Sequence, residues 1–334
     1  MTAFALVAAL PVAAFDATAA GEETVRQWTS WMGKYGISKG AIIVAHNGDV
    51  VAEGGLARSV DDPAKVASLS KAITAICALK AAEASGLSAS ARLSDILPGA
   101  LAEHAPRDTR FGAISLAHLM THTSGLDTDY HRDELPKLRT FEKENKLWQF
   151  SKIAALNLSA APGAAPYRYS NANYLILGLA IEEMTGEAYE TYCQREVLAP
   201  AGVTTAKLAP DWQVMTSWGG WEISARDYLR FVQANFTGRT KADRPAGHGI
   251  SAAYVNDRGT RYSAGMLYRN SSQGLNAWHS GSWTGVKGRV TDRFGAYVAV
   301  YGNGMTVVTN YAHDAWDREI ARELDRLLYN ATHP

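Results

Sequence analysis

The sequence predicts an α+β protein in which an antiparallel sheet is flanked by helices and interrupted by an all-helical insertion. Three observations carry this. Two β-rich runs flank Asn47-Gly48 near the start, residues from about 87 to 194 hold helical patterns with little strand signal, and the last third returns to short strands joined by Gly- and Asn-bearing turns. At 334 residues with 47% hydrophobic and 20% charged side chains, the chain can form one large domain or two modest ones. The expected division is a sheet part from 21–86 and 195–334, a helical part over 87–194, and a signal or N-terminal extension over 1–20.

Each element follows from local pattern. Val25, Trp28, Trp31 and Met32 have helical spacing from Glu22 to Lys34. G-A-I-I-V-A-H-N-G-D-V-V-A-E-G-G (40–55) reads as a hairpin, because Asn-Gly favours a tight type I′ turn. A-S-L-S-K-A-I-T-A-I-C (67–77) opens an amphipathic helix with Leu69, Ile73, Ile76 and Cys77 on one face, and Gly86 is placed to stop it. S-L-A-H-L-M-T-H, K-L-W-Q-F-S-K-I-A-A-L and Y-L-I-L-G-L-A-I-E-E-M read as helices. R-Y-S-A-G-M-L-Y, L-N-A-W-H-S-G-S-W, A-Y-V-A-V-Y and M-T-V-V-T-N-Y read as strands, with Asn303-Gly304 marking a second hairpin. A closing helix is expected from Asp314 to Tyr329.

Composition excludes several function classes. Thirty-three basic and thirty-three acidic residues leave no net charge, and no block of like charge offers a footprint for nucleic acid. No apolar run reaches the roughly 18–20 residues of a membrane span, so no stable insertion is expected. Cys77 and Cys193 sit at apolar helical positions and are expected as buried thiols, with a single disulfide left open. His118 and His122 lack the glutamate of the helical zinc-protease pattern, and no Cys/His grouping suggests a metal; no cofactor is expected. Ala17-Thr18-Ala19 resembles a signal-peptidase site, although the basic stretch that should precede it is missing. Periplasmic or secreted placement is the expectation, and a cytoplasmic chain with its N-terminal segment packed on the body is the alternative.

Ser68 and Lys71 are three residues apart, so on a helix they share a face. A hydroxyl becomes a nucleophile with a base beside it, and a lysine serves when its surroundings remove its proton. A first-turn position also puts Ser68 near free backbone N–H groups that suit a developing oxyanion. Ser-x-x-Lys occurs once here, about what chance supplies, so alone it decides nothing. Tyr-x-Asn, a phenol that moves protons and an amide that binds substrate, occurs four times, and only Tyr169–Asn171 precedes a strong helix in the helical block. His279-Ser280-Gly281 lies on an expected strand, where the glycine permits close approach to a neighbour.

With these stretches in order, the chain resembles the serine β-lactamase and penicillin-recognising superfamily, in the branch of class C β-lactamases, D-aminopeptidases and family VIII esterases. V-A-S-L-S-K (66–71), I-S-L-A-H-L-M-T-H-T-S-G-L (114–126), P-Y-R-Y-S-N-A-N-Y-L-I-L-G (166–178), S-A-R-D-Y-L-R-F (224–231) and H-S-G-S-W-T-G (279–285) carry the resemblance. It implies a β-lactamase-like fold with the active site in the cleft between sheet and helical parts. It also implies an acyl-enzyme mechanism: Ser68 as nucleophile, Lys71 and Tyr169 sharing the proton, and Asn171, His279, Ser280 and Gly281 binding substrate. The backbone N–H groups of Ser68 and Ser282 would form the oxyanion hole.

The third motif departs from the Lys-Thr-Gly of class C β-lactamases. Histidine near neutral pH is mostly uncharged, whereas lysine would anchor a substrate carboxylate. The departure favours a carboxylesterase on small acyl esters. An amide hydrolase (D-amino-acid peptidase, oligoamide hydrolase or β-lactamase) and a penicillin-binding or sensor domain that acylates without turnover are the alternatives. The expected partner is a small ester or amide; oligomeric state is open. Trp218-Gly219-Gly220 is expected as a structural turn, Trp278 and Trp283 as core more than acyl-pocket lining, and His122 with Thr123 as a brace near the cleft. Tyr130, Phe141 and Trp148 are expected to roof that cleft.

Overall fold

The Asn47-Gly48 pair reverses the chain as expected, both residues standing in the left-handed region at φ 50° and 102°. It joins β1 (Lys39–His46) to β2 (Asp49–Leu56). The computed structural model describes residues 15–126, 146–210, 216–237, 250, 252–283, 293–312 and 318–333. Tyr130, Phe141 and the side chain of Trp148 lie outside the described residues.

The main sheet has eight antiparallel strands in the order β2-β1-β11-β10-β9-β8-β7-β6. Its later strands are β6 (Ala253–Tyr254), β7 (Arg261–Ser263), β8 (Met266–Ser271), β9 (Gly274–Trp283), β10 (Phe294–Val300) and β11 (Met305–Ala312). β1 pairs with β11, so the two chain ends build one sheet, as expected. Between 87 and 194 the described residues form helices and no strand. A small sheet of β3 (Ala64–Lys65), β5 (Trp221–Ile223) and β4 (Lys207–Leu208) lies apart from the main one.

β1 reads as an apolar run because both its faces are covered. Ile42 and Val44 join Trp28, Trp31 and Met32 of α1 (Ala17–Lys34) and Leu324 and Leu328 of the last helix (Arg318–Thr332). Ala41, Ile43 and Ala45 face the larger core, which holds the helix of interest, α2 (Ser70–Ala84). α1 begins before the expected Glu22: Asp16 accepts from the N–H of Ala19 and caps it, so Ala17-Thr18-Ala19 forms its first turn.

Two expectations about secondary structure are corrected. R-Y-S-A-G-M-L-Y is not one strand but a hairpin, turning at Ala264 and Gly265 with φ 48° and 81°. A Cβ on Gly265 would sit 2.3 Å from the backbone nitrogen of Ala72, so this tip presses on the start of α2. The second concerns α2, which is buried on all sides along most of its length rather than on one face; Ala72, Ala75 and Ala78 are small enough to admit neighbours all round. It ends as expected at Gly86, φ 69°, with Leu87 N–H on Ala82 O and Gly86 N–H on Glu83 O in a Schellman arrangement.

Among the described residues the remaining α-helices are α3 (Leu93–Ile96), α4 (Pro98–Glu103), α5 (Leu116–Met120), α6 (Lys146–Ala154), α7 (Asn171–Thr185), α8 (Tyr189–Cys193), α9 (Thr216–Gly219), α10 (Ala225–Phe236) and α11 (Arg318–Thr332). Cys77 and Cys193, expected as thiols, are instead joined as a disulfide that ties α2 to α8, with Cα atoms 5.4 Å apart. Periodicity placed both on apolar faces without showing that the faces meet. Among the described residues no helix is long and apolar enough to cross a membrane.

Candidate active site

Ser68 stands in a single 3₁₀ turn, Ala67–Leu69, that runs straight into α2. Ala67 before it is held at φ 45°; such a non-glycine conformation costs about 1–3 kcal/mol and persists only where the surroundings enforce it. The buried Ser70 hydroxyl is turned elsewhere, accepting from the N–H of Trp221 at 3.1 Å.

Two side chains reach Ser68 Oγ, one from the following helical turn and one from 101 residues away in sequence. The Tyr169 hydroxyl lies 2.8 Å from it and Lys71 Nζ 3.1 Å from it. Lys71 is 0% exposed and also donates to Asn171 Oδ1 at 2.7 Å and to the main-chain oxygen of Trp218 at 2.8 Å. Its nitrogen stands 4.9, 5.7 and 5.6 Å from the ring centroids of Tyr169, Tyr174 and Trp218. Trp-Gly-Gly is therefore a structural turn that also supplies a wall of the Lys71 chamber. No side-chain pattern announces a carbonyl acceptor, so that part was invisible in the sequence.

β9 brings in the third motif. A Cβ on Gly281 would lie 2.1 Å from Val66 O and 3.1 Å from Ser68 N, the close approach the glycine implied. Side chains alternate along the strand, so His279, Gly281 and Trp283 share the face turned to the larger core, and Trp278, Ser280 and Ser282 share the other. What Ser280 and Ser282 offer at the Ser68 end is thus the strand's main chain. His279 is 5% exposed, with Nε2 3.3 Å from the Tyr262 hydroxyl. Burial, followed by the charge of Lys71, pushes its imidazole down to about 3, so it is neutral near pH 7. Tyr262, on β7, was not singled out by the sequence; an isolated tyrosine on a strand carries no signal of its own.

His122 and Ser124 form no hydrolytic pair. Ser124 Oγ donates to Asn173 Oδ1, and the imidazole of His122 is turned to Asn173 Nδ2 at 2.9 Å. Burial first, then Lys71 and His279, hold His122 well below the ordinary histidine range. Among the described residues no group of three or more His, Cys, Asp or Glu side chains gathers as a metal site.

The beta-lactamase family model matches residues 24–330. The chain belongs to the beta-lactamase family. Monacolin J acid methylbutanoyltransferase of Aspergillus terreus is 31% identical over 159 residues, covering 43% of this chain and 38% of that protein. The match thus spans well under half the length of that curated relative. Among solved structures, a D-stereospecific amidohydrolase from Streptomyces sp. superposes with TM-score 0.70 at 19% identity, covering 92% of this chain and 98% of that one. A beta-lactamase/D-alanine carboxypeptidase from Pseudomonas syringae gives TM-score 0.71 at 18% identity over 95% and 100%. The architecture is β-lactamase-like.

Proposed function

We propose that this protein is a serine hydrolase, a carboxylesterase for small acyl esters, working through an acyl-enzyme on Ser68. The observation that carries the reading is that Tyr169 OH and Lys71 Nζ both reach Ser68 Oγ, at 2.8 and 3.1 Å. Ser68 Oγ attacks the ester carbonyl, and its proton passes to the Tyr169/Lys71 centre. The negative oxygen of the tetrahedral intermediate is held by the backbone N–H groups of Ser68 and Ser282. Collapse breaks the bond to the alkoxide, which leaves with the proton from Tyr169. Water, deprotonated at the same centre, attacks the acyl carbonyl and frees the acid and Ser68. Asn171 and the main chain of β9 around Ser280 and Gly281 hold the substrate.

The neutral His279 supports an ester. A buried uncharged imidazole supplies no fixed cation for a substrate carboxylate. Rapid release of nitrophenol from nitrophenyl acetate or butyrate, lost in Ser68→Ala, is the expected result; undiminished turnover in that variant overturns the assignment. A panel adding a D-amino-acid peptide and a chromogenic cephalosporin ranks the amide reading by kcat/KM. Prompt loss of the Ser68 adduct in intact-mass spectrometry excludes acylation without turnover.

A second reading, acyl transfer to an alcohol in place of water, is favoured by the name of the Aspergillus terreus relative. It requires nitrophenol release to quicken with added alcohol and the new ester to appear. The Cys77–Cys193 disulfide supports placement in an oxidising compartment, periplasmic or secreted. Thiol labelling of protein drawn directly from cells tests this, since two reactive thiols there would place it in the cytoplasm.

A further inference from the structure

His122 lies outside the three motifs that meet at Ser68, yet it grips the chain on both sides of Tyr169. Its carbonyl oxygen accepts from the N–H of Arg168 at 3.0 Å, and its Nδ1 accepts from the N–H of Ser170 at 3.3 Å. Nδ1 also accepts from Asn173 Nδ2 at 2.9 Å, in the first turn of α7. Two donors on one nitrogen require the tautomer with its proton on Nε2. The ring packs on Tyr169 with centroids 4.6 Å apart, and on Tyr262 at 4.8 Å, Tyr174 at 5.3 Å and Tyr167 at 5.8 Å. The residue is 1% exposed and sits at φ 56°, a strained backbone for a side chain this large. A packing role alone would need the ring but not a nitrogen acceptor aimed at the peptide unit following the tyrosine.

We propose that His122 is a positioning residue for Tyr169, clamping the chain at Arg168 and Ser170 on either side of it while its ring sets the angle at which the phenol meets Ser68. This rests on the role given above to Tyr169. Protonation of Nδ1 would expel both donors, so the clamp is built from the neutral imidazole. A shift of the phenol by a fraction of an ångström would weaken proton transfer without altering the rest of the cleft.

The test is a double-mutant cycle on nitrophenyl butyrate with His122→Phe, which keeps a ring and removes the acceptor, and Tyr169→Phe. His122→Phe should lower kcat by roughly tenfold to a hundredfold with KM little changed, and should add little to the loss already present in Tyr169→Phe. His122→Gln, which restores an acceptor without the ring, should recover most of kcat. Losses that multiply in full across the cycle, an unchanged kcat in His122→Phe, or equal losses in Phe and Gln would each overturn the proposal. If Tyr169→Phe alone keeps the parent rate, the assignment of Tyr169 falls and this proposal with it. If Tyr169→Phe is crippled and His122→Phe is not, only the positioning role falls. Circular dichroism and melting confirm that each variant folds. Should His122→Phe not fold, Asn173→Ala removes the shorter of the two bonds to Nδ1 and carries the same test: kcat should fall with KM held, and an unchanged kcat overturns the clamp.

Discussion

Lys71 Nζ donates to the main-chain oxygen of Trp218 at 2.8 Å, across 147 residues of sequence. The turn that precedes β5 thus fixes Nζ beside Ser68, with Asn171 Oδ1 on a second side. Lys71→Arg places a longer, planar cation that cannot act as a base in a fully buried chamber. Acylation, read as the nitrophenol burst, should fall by roughly a hundredfold or more. A burst rate within a few-fold of the parent would remove Lys71 from the proton path.

The closeness of β9 to the nucleophile makes Gly281 intolerant of any side chain. In Gly281→Ala the new Cβ would meet Val66 O at 2.1 Å, and neither backbone can yield without shifting Ser68. Activity should drop at least tenfold, roughly what a small displacement of an oriented group costs. Gly265→Ala, at φ 81° and against Ala72, should instead be seen as a lower melting temperature. Wild-type behaviour of both would contradict the contacts described.

Acid should destabilise the fold through its buried imidazoles. The folded-state value of His279 lies at about 3, below the ordinary 6.5, so between those pH values the unfolded chain binds more protons. Its contribution is therefore present above pH 6.5 and lost as pH falls toward 3. Urea unfolding at pH 7.5 and 4.5 should show a loss of about 3 kcal/mol assignable to this residue, absent in His279→Gln. Equal losses in parent and variant would refute it. His279→Lys, mimicking the class C motif, would set a second cation near Lys71 in a buried place; it should lower stability rather than confer turnover of a chromogenic cephalosporin.

The Cys77–Cys193 bond closes a loop of 116 residues between α2 and α8. Replacing both cysteines by alanine should cost about 2–4 kcal/mol in denaturant unfolding. Nitrophenyl ester turnover at 25 °C should stay near the parent value, because the bond lies nearly two turns beyond Lys71. An unchanged unfolding midpoint would show that helix packing alone holds these elements.

Much of the site was legible because its chemistry is local. Ser68 and Lys71 are one helical turn apart, Tyr169 and Asn171 flank the start of α7, and Gly281 interrupts a strand where bulk would collide. The Asn47-Gly48 turn and the Gly86 stop are likewise short-range, set by φ preference. The sequence by itself determined these elements, their order, and therefore the family. Only the tertiary structure decided what meets across long separations: the Trp218 carbonyl on Lys71, Tyr262 on His279, His122 on both sides of Tyr169, and one sulfur on the other. A carbonyl acceptor is present at every residue and a tyrosine hydroxyl at many. Which of them becomes part of a site depends on where packing brings the backbone, and no local pattern encodes that.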